Sequence, residues 1–285
     1  MKFETIAVLG AGTMGRGIAH VSALAGCAVR LFDVQEATLA VGVAAIRKNL
    51  DKGVARGKVD AVDADAAFGR IQGVTTLEAA VSDADLVVEA VPEKLDLKRS
   101  LFAQVDALAP AHAVFGTNTA SLSIASIAEA VADPTRVIGL HFFNPVHIMK
   151  LLEIVVHDGT RDDVLEACRA YGAAIRKECI TVRDFPGFAT SRLGVCLGME
   201  AIRMVEQGVA SAQDIDTAMV LGYRHPIGPL KLTDLVGIDV RMHIGEYLAD
   251  ALGNEAFRPP TLMKEMVAAG TLGKKTGKGF YDWSE

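Results

Sequence analysis

An α/β fold built on a mostly parallel sheet, followed by an all-helical C-terminal domain, is what this sequence predicts. Three observations predict it. Short apolar runs alternate with helical stretches from Thr5 to Val182. Glycine- or Asn-containing turns follow the ends of several of those runs. From Asp184-Phe185-Pro186-Gly187 onward the strand signal stops and apolar positions recur at helical spacing. The boundary is therefore placed there, with a first domain at 1–185, including a helical insertion at about 36–70, and a second at 186–285.

The first element is the strand Thr5 to Leu9, which runs straight into Gly10-Ala11-Gly12-Thr13-Met14-Gly15. Met14, Ile18, Val21 and Ala25 then recur at helical spacing until Gly26 ends the run, and a second strand, Ala28 to Phe32, stops at Asp33. Strand, GxGxxG turn, helix, strand and acid in this order make a Rossmann-type dinucleotide site. Gly10 permits the tight turn, Gly12 lets a pyrophosphate approach the backbone, and Gly15 allows helix and strand to pack closely. The helix N-terminus offers N–H groups and a partial positive charge to phosphates. Asp33 falls at the position of an acid that binds the adenine-ribose hydroxyls, roughly 20 residues along. Its charge would repel a 2′-phosphate, and Val34-Gln35-Glu36 brings no Arg, so the expected cofactor is NAD rather than NADP.

Residues 35–70 read as two polar helices broken near Gly57. Lys52 and Arg56 lie four apart and project together on a helix. They are either a solvated charged face or a contact for phosphates on a substrate handle. A strand at Leu86 to Val91 precedes Pro92-Glu93-Lys94 and a helix from Asp96 to Leu108. Another strand, Ala113 to Gly116, runs into Thr117-Asn118-Thr119-Ala120-Ser121, with Ser121 as the expected cap of a helix starting near Ser123.

The next apolar run, Val137 to Leu140, ends at His141, and after the Asn144-Pro145 turn the run Leu151 to Val156 carries one carboxylate, Glu153. A His at a strand end and a lone Glu in the next strand suggest a general base and its orienting partner. The alternative is a surface His and a solvated Glu. Ligands of such sheets sit beyond the carboxyl ends of the strands, and Glu93, Thr117 to Ser121 and His141 all follow strands at that edge. That placement favours the base.

After Cys179 to Val182 the chain is expected to form helices at Ala189 to Glu206, at Ser211 to Gly222 with Ser211 as cap, and at Leu232 to Leu252. A basic, glycine-rich extended tail closes it, Lys274 to Tyr281. A net charge of −6 argues against a general nucleic-acid binder. No apolar run reaches the roughly 18 residues that span a bilayer, and the short run Ile6 to Leu9 is no signal peptide. Cys27, Cys168, Cys179 and Cys196 are widely spaced, without a CxxC pair or Cys/His cluster, so neither disulfides nor a metal site is expected and a reducing cytoplasm fits best.

GAGTMG, TNTASLSI, GLHFFNPVHIMKLLEIV, PGF, GYRHPIGPLKLTDLVGID and KKTGKGFYDW together resemble the 3-hydroxyacyl-CoA dehydrogenase family, of the bacterial 3-hydroxybutyryl-CoA dehydrogenase type, over essentially the whole chain. The resemblance implies NAD-dependent oxidation of (S)-3-hydroxyacyl-CoA, or the reverse reduction, with His141 as the catalytic histidine and Glu153 as its partner. It implies that Glu93, Lys98, Asn118, Asn144 and Lys264 line the cofactor site with the glycine turn and Asp33. It assigns Lys52 and Arg56 to the CoA phosphates, and it implies a homodimer formed through the helical domain.

Two positions depart from the family pattern. Ala120 stands where the family has a serine that reaches the substrate, leaving Ser121, and Ser191 stands where it has an asparagine. A lost polar contact of this kind costs about 1–3 kcal/mol. Two other readings therefore stay open. One is a dehydrogenase of a non-CoA hydroxy acid, as in gulonate or carnitine dehydrogenases. The other is a weakly active, crystallin-like cofactor binder.

Overall fold

Strand order and direction follow from where the chain spends its apolar residues. The structure, a computed structural model, describes residues 2–284, and the chain divides between Phe185 and Pro186 into two compact units.

In the first unit the elements run β1 (Thr5–Leu9), α1 (Thr13–Leu24), β2 (Ala28–Phe32), α2 (Glu36–Ala55), α3 (Ala61–Gly69), β3 (Ile71–Val74), α4 (Leu77–Val81), β4 (Leu86–Glu89), α5 (Leu95–Leu108), β5 (Val114–Thr117), α6 (Ile124–Ala128), β6 (Val137–Phe142), β7 (Leu151–Val156), α7 (Asp162–Ala174) and β8 (Glu178–Arg183). Among the described residues eight strands form one sheet in the order β3-β2-β1-β4-β5-β6-β7-β8. The order reverses direction between β1 and β4, the switch point beyond which such sheets bind ligands. Pairing is parallel except between β6 and β7, which are antiparallel because the turn at Asn144-Pro145 is too short for a crossover. Strands β1, β4 and β5 are buried on both faces, which is why they read as continuous rather than alternating apolar runs.

The second unit contains α8 (Thr190–Glu206), α9 (Ala212–Gly222), α10 (Pro229–Val236), α11 (Ile238–Leu252) and α12 (Thr261–Ala268), around a core that includes Val195, Met199, Ile202, Leu230, Leu248 and Met263.

The structure corrects three local expectations. The single helix expected from Leu232 to Leu252 is two, because Gly237 takes φ +110° and because Pro229, suited to a first helical position, starts α10 earlier. Ser121 is not the cap of α6. Ser123 is, its Oγ accepting from Ser126 N at 3.2 Å. The tail is not merely extended. The enclosed carboxylate of Asp234 accepts from Phe280 N (3.0 Å), Tyr281 N (2.9 Å) and Trp283 Nε1 (2.9 Å), which folds the tail back onto α10.

Candidate active site

The glycine turn is shaped by what a side chain would strike. Gly10 has φ +105°, and a Cβ there would lie 2.9 Å from Ala90 O. A Cβ on Gly15 would overlap the carbonyl of Gly10, so that position tolerates only hydrogen. A Cβ on Gly12 would meet nothing within 4 Å, and that opening lies over the start of α1, which has no side-chain cap. Exposed Gly12 and Thr13 border it, while Ala11 is buried and Met14 half-buried against the core. Asp33 braces the turn from β2, with Oδ2 accepting from Ala11 N and Oδ1 from Gln35 N, both at 3.0 Å. An uncapped helix start, an open approach and a carboxylate at its side fit an anionic dinucleotide without a 2′-phosphate.

Across the sheet, antiparallel pairing sets His141 directly opposite Glu153. Neighbours in such a register share a face, and His141 Nδ1 lies 2.8 Å from Glu153 Oε2. The Glu153 side chain has no exposure and that of His141 9%, so water barely screens the pair. The Phe143 ring packs on the imidazole, centroids 4.4 Å apart. A carboxylate on Nδ1 fixes the tautomer and leaves Nε2 as the ring nitrogen for proton transfer.

Asn118 joins this pair to the neighbouring loop, its Oδ1 accepting from Phe142 N at 3.0 Å. Glu93 gathers that loop. Its Oε1 accepts from Thr119 Oγ1 (2.5 Å), Ala120 N (2.9 Å) and Ser121 N (3.3 Å), and Ser121 Oγ lies 3.4 Å away. Lys98, expected to line the cofactor site, is fully buried, its Nζ donating to Glu89 Oε1 and Oε2 at 2.8 and 2.9 Å and lying 3.4 Å from Glu93 Oε2. Asn144 is exposed at the β6–β7 turn.

Lys52 in the last turn of α2 and Arg56 at its cap are both exposed. Ser191, at the start of α8, and exposed Lys264, on α12, belong to the second unit. Among the described residues, no three His, Cys, Asp or Glu side chains are grouped to hold a metal. Sequence reasoning missed Glu89, although a lone carboxylate inside LVVEAV signals it. It also missed His20 and His147, which stack with ring centroids 5.3 Å apart and have no such signal, being far apart in the chain.

With this geometry in place, comparison with known proteins is specific. Residues 5–185 match the 3-hydroxyacyl-CoA dehydrogenase NAD binding domain, and residues 187–283 match the C-terminal domain of the same family. A probable 3-hydroxybutyryl-CoA dehydrogenase of Bacillus subtilis is 40% identical over 285 residues, covering 100% of this chain and 99% of that protein. The 3-hydroxyadipyl-CoA dehydrogenase of Escherichia coli is also 40% identical, over 99% of this chain and 60% of its own length. The crystal structure of (S)-3-hydroxybutyryl-CoA dehydrogenase from Ralstonia eutropha superposes with a TM-score of 0.95 at 38% identity, covering 100% of both chains. A glycine turn braced by an acid, a buried His–Glu pair on the same sheet edge and two matched domains place this chain in the 3-hydroxyacyl-CoA dehydrogenase family.

Proposed function

We propose that this protein interconverts (S)-3-hydroxyacyl-CoA and 3-oxoacyl-CoA with NAD, using His141 as the proton-transfer group. The observation that carries the reading is the 2.8 Å contact between His141 Nδ1 and the enclosed Glu153. In oxidation His141 removes the proton of the 3-hydroxyl, and Glu153 stabilises the imidazolium that results. In reduction the protonated ring returns that proton to the forming alkoxide. NAD, when bound, supplies the hydride chemistry between the nicotinamide and C3. Gly10, Ala11, Gly12, Thr13, Met14 and Gly15 would hold its phosphates and Asp33 its ribose, while Asn118 steadies the backbone beside His141.

Exposed Lys52 and Arg56 support the CoA part of the proposal, since two adjacent cations without buried partners are available to phosphates. Two relatives of equal identity are named for different acyl groups, hydroxybutyryl and hydroxyadipyl, so similarity alone does not choose the acyl chain. The test is NADH oxidation with acetoacetyl-CoA against free acetoacetate. Turnover of the thioester alone is expected, with KM raised about tenfold or more in Lys52→Ala/Arg56→Ala. Equal rates on the free acid would reject the CoA handle and favour a dehydrogenase of a non-CoA hydroxy acid.

We also propose a homodimer through the second unit, supported by the exposed Leu193, Leu221 and Tyr223. Sedimentation at the mass of one chain would remove that part. Among the described residues no helix is long and apolar enough to cross a membrane, and the thiols of Cys27 and Cys168 are buried and outside any disulfide. Free thiols suit the reducing cytoplasm, and recovery of the protein in an oxidising compartment would contradict that placement.

A further inference from the structure

Arg241, on α11, is a buried charge that the proton relay does not use. It is 6% exposed, and its Nη1 donates to the carbonyl of Gly194, on α8, at 2.5 Å. Among the described residues no carboxylate pairs with it. Thr233, whose hydroxyl faces the same spot, donates instead to Pro229 O at 2.7 Å. Burial pushes the guanidinium down to about 10 from an ordinary 12.5, which leaves it a cation at neutral pH. Enclosing a charge without a counter-charge is costly, and a single bond to a carbonyl needs no charge at all. Another purpose has to account for it.

Helix α8 makes room for this group. A Cβ on Gly198 would lie 2.6 Å from Arg241 Nη1 and 3.1 Å from Thr233 Oγ1, and one on Gly194 would lie 3.7 Å from Arg241 Nη2. Glycine inside a helix is destabilising relative to alanine, so the notch weakens α8. Ser191, Gly194 and Gly198 fall at i, i+3 and i+7, which places them on one face of that helix. The planar fork of Arg241 therefore lies along the face that begins with Ser191. From Ser191 to Gly198 is roughly 10 Å of helix axis, at about 1.5 Å per residue.

We propose that Arg241 binds a carboxylate at the far end of the acyl chain, so that the preferred substrate is a 3-hydroxyacyl-CoA ending in a second acid group. This rests on the function proposed above, with Ser191 as the substrate contact that the family resemblance implies. An acyl chain held at Ser191 and running along this face of α8 brings a group several carbons on to Gly194 and Gly198. There the guanidinium pairs with both oxygens of a carboxylate, whereas a methyl end leaves the cation enclosed and unpaired. A site built for a polar group strongly rejects the analogue that lacks it. Arg241 thus selects the acyl end and leaves proton transfer to His141.

The test is kcat/KM for NADH-dependent reduction of 3-oxoacyl-CoA pairs of equal length, one member ending in methyl and the other in carboxylate. 3-Oxohexanoyl-CoA is set against 3-oxoadipyl-CoA, and 3-oxooctanoyl-CoA against 3-oxosuberyl-CoA. The wild type is expected to prefer the carboxylate end by about tenfold or more in at least one pair. Arg241→Met should remove that preference, whereas loss of a purely structural pin would slow both members alike and keep their ratio. No wild-type preference in either pair, or a ratio that survives Arg241→Met, overturns the proposal. If Arg241→Met does not fold, Gly198→Ala decides, because the added Cβ displaces the end of the Arg241 side chain and keeps its charge. A fall in the ratio of about threefold or more supports the proposal, and an unchanged ratio overturns it. A carboxylate from a second copy of this chain is the other source of such an anion. In that case the wild type shows no preference and Arg241→Met lowers the sedimenting mass, which overturns the substrate assignment. Absence of wild-type turnover on all four thioesters and on acetoacetyl-CoA would instead sink the underlying function, and is distinguished by that control.

Discussion

His141 and Glu153 are separated by a turn and brought together by strand register, so one property of β structure makes the pair. Opposed residues of an antiparallel ladder share a face, and a slip of one residue would turn the carboxylate to the other side. That is why the pair was legible: two apolar runs, a turn between them and one polar residue in each leave few registers that bury the apolar neighbours. Lys98 was not legible in the same way. Its place in the chain matches a ligand-lining position, but its destination depends on Glu89, a residue in another element. The glycines separate the same two kinds of information. A Cβ at Gly15 meets the Gly10 carbonyl, whereas one at Gly12 points into open space. Gly15→Ala should therefore lower Tm by several degrees as well as weaken NADH binding, while Gly12→Ala should keep its Tm and lose NADH affinity about tenfold or more. Thermal melts paired with NADH fluorescence titrations check this, and equal melting losses in both variants would refute the distinction.

At the scale of elements, α1 does two jobs. Its N-terminus opens beside the glycine turn, and further along its buried His20 stacks on His147 from the β6–β7 turn. Burial first, and then the positive charges of His147 and Lys177, hold His20 down to about 4 from an ordinary 6.5. The His147 ring is lowered as well, by burial and then by Lys177 and Lys52. Lys177 anchors the same turn by donating to the carbonyls of Val146 and Met149. Because the folded value of His20 is depressed, the unfolded chain binds the extra proton between those two values. The contribution to stability is thus complete above pH 6.5 and is lost as pH falls toward 4, on the order of 3 kcal/mol for this group. Wild-type Tm is expected to fall across that window, and His20→Leu to flatten part of the fall, since His147 still titrates. Superimposable Tm–pH curves would remove His20 from the account. The helical unit was less readable at this scale. Helical spacing runs through Gly237 without interruption, and only its positive φ divides α10 from α11. The tail's fold-back rests on Asp234, a residue that spacing alone marks as one more helical acid.

Over the whole molecule, the parallel sheet and the helical segment were readable because period and composition change at Asp184 to Gly187, and periodicity survives any detail of packing. What periodicity does not carry is the partner of each buried charge, since Glu89, Glu93, Lys98 and Asn118 come from β4, the loop after it, α5 and the loop after β5, brought together by the fold. The proposed turnover depends on one group, His141, moving one proton. His141→Gln keeps a polar side chain of similar size but has no imidazole to accept and return that proton. The deciding measurement is kcat for acetoacetyl-CoA reduction by this variant, with NADH Kd determined on the same preparation. A fall of about a hundredfold or more at near-wild-type NADH affinity is predicted, the range expected when a general acid–base group is lost. Turnover close to wild type would contradict the assignment of His141 and the reading of the site built on it.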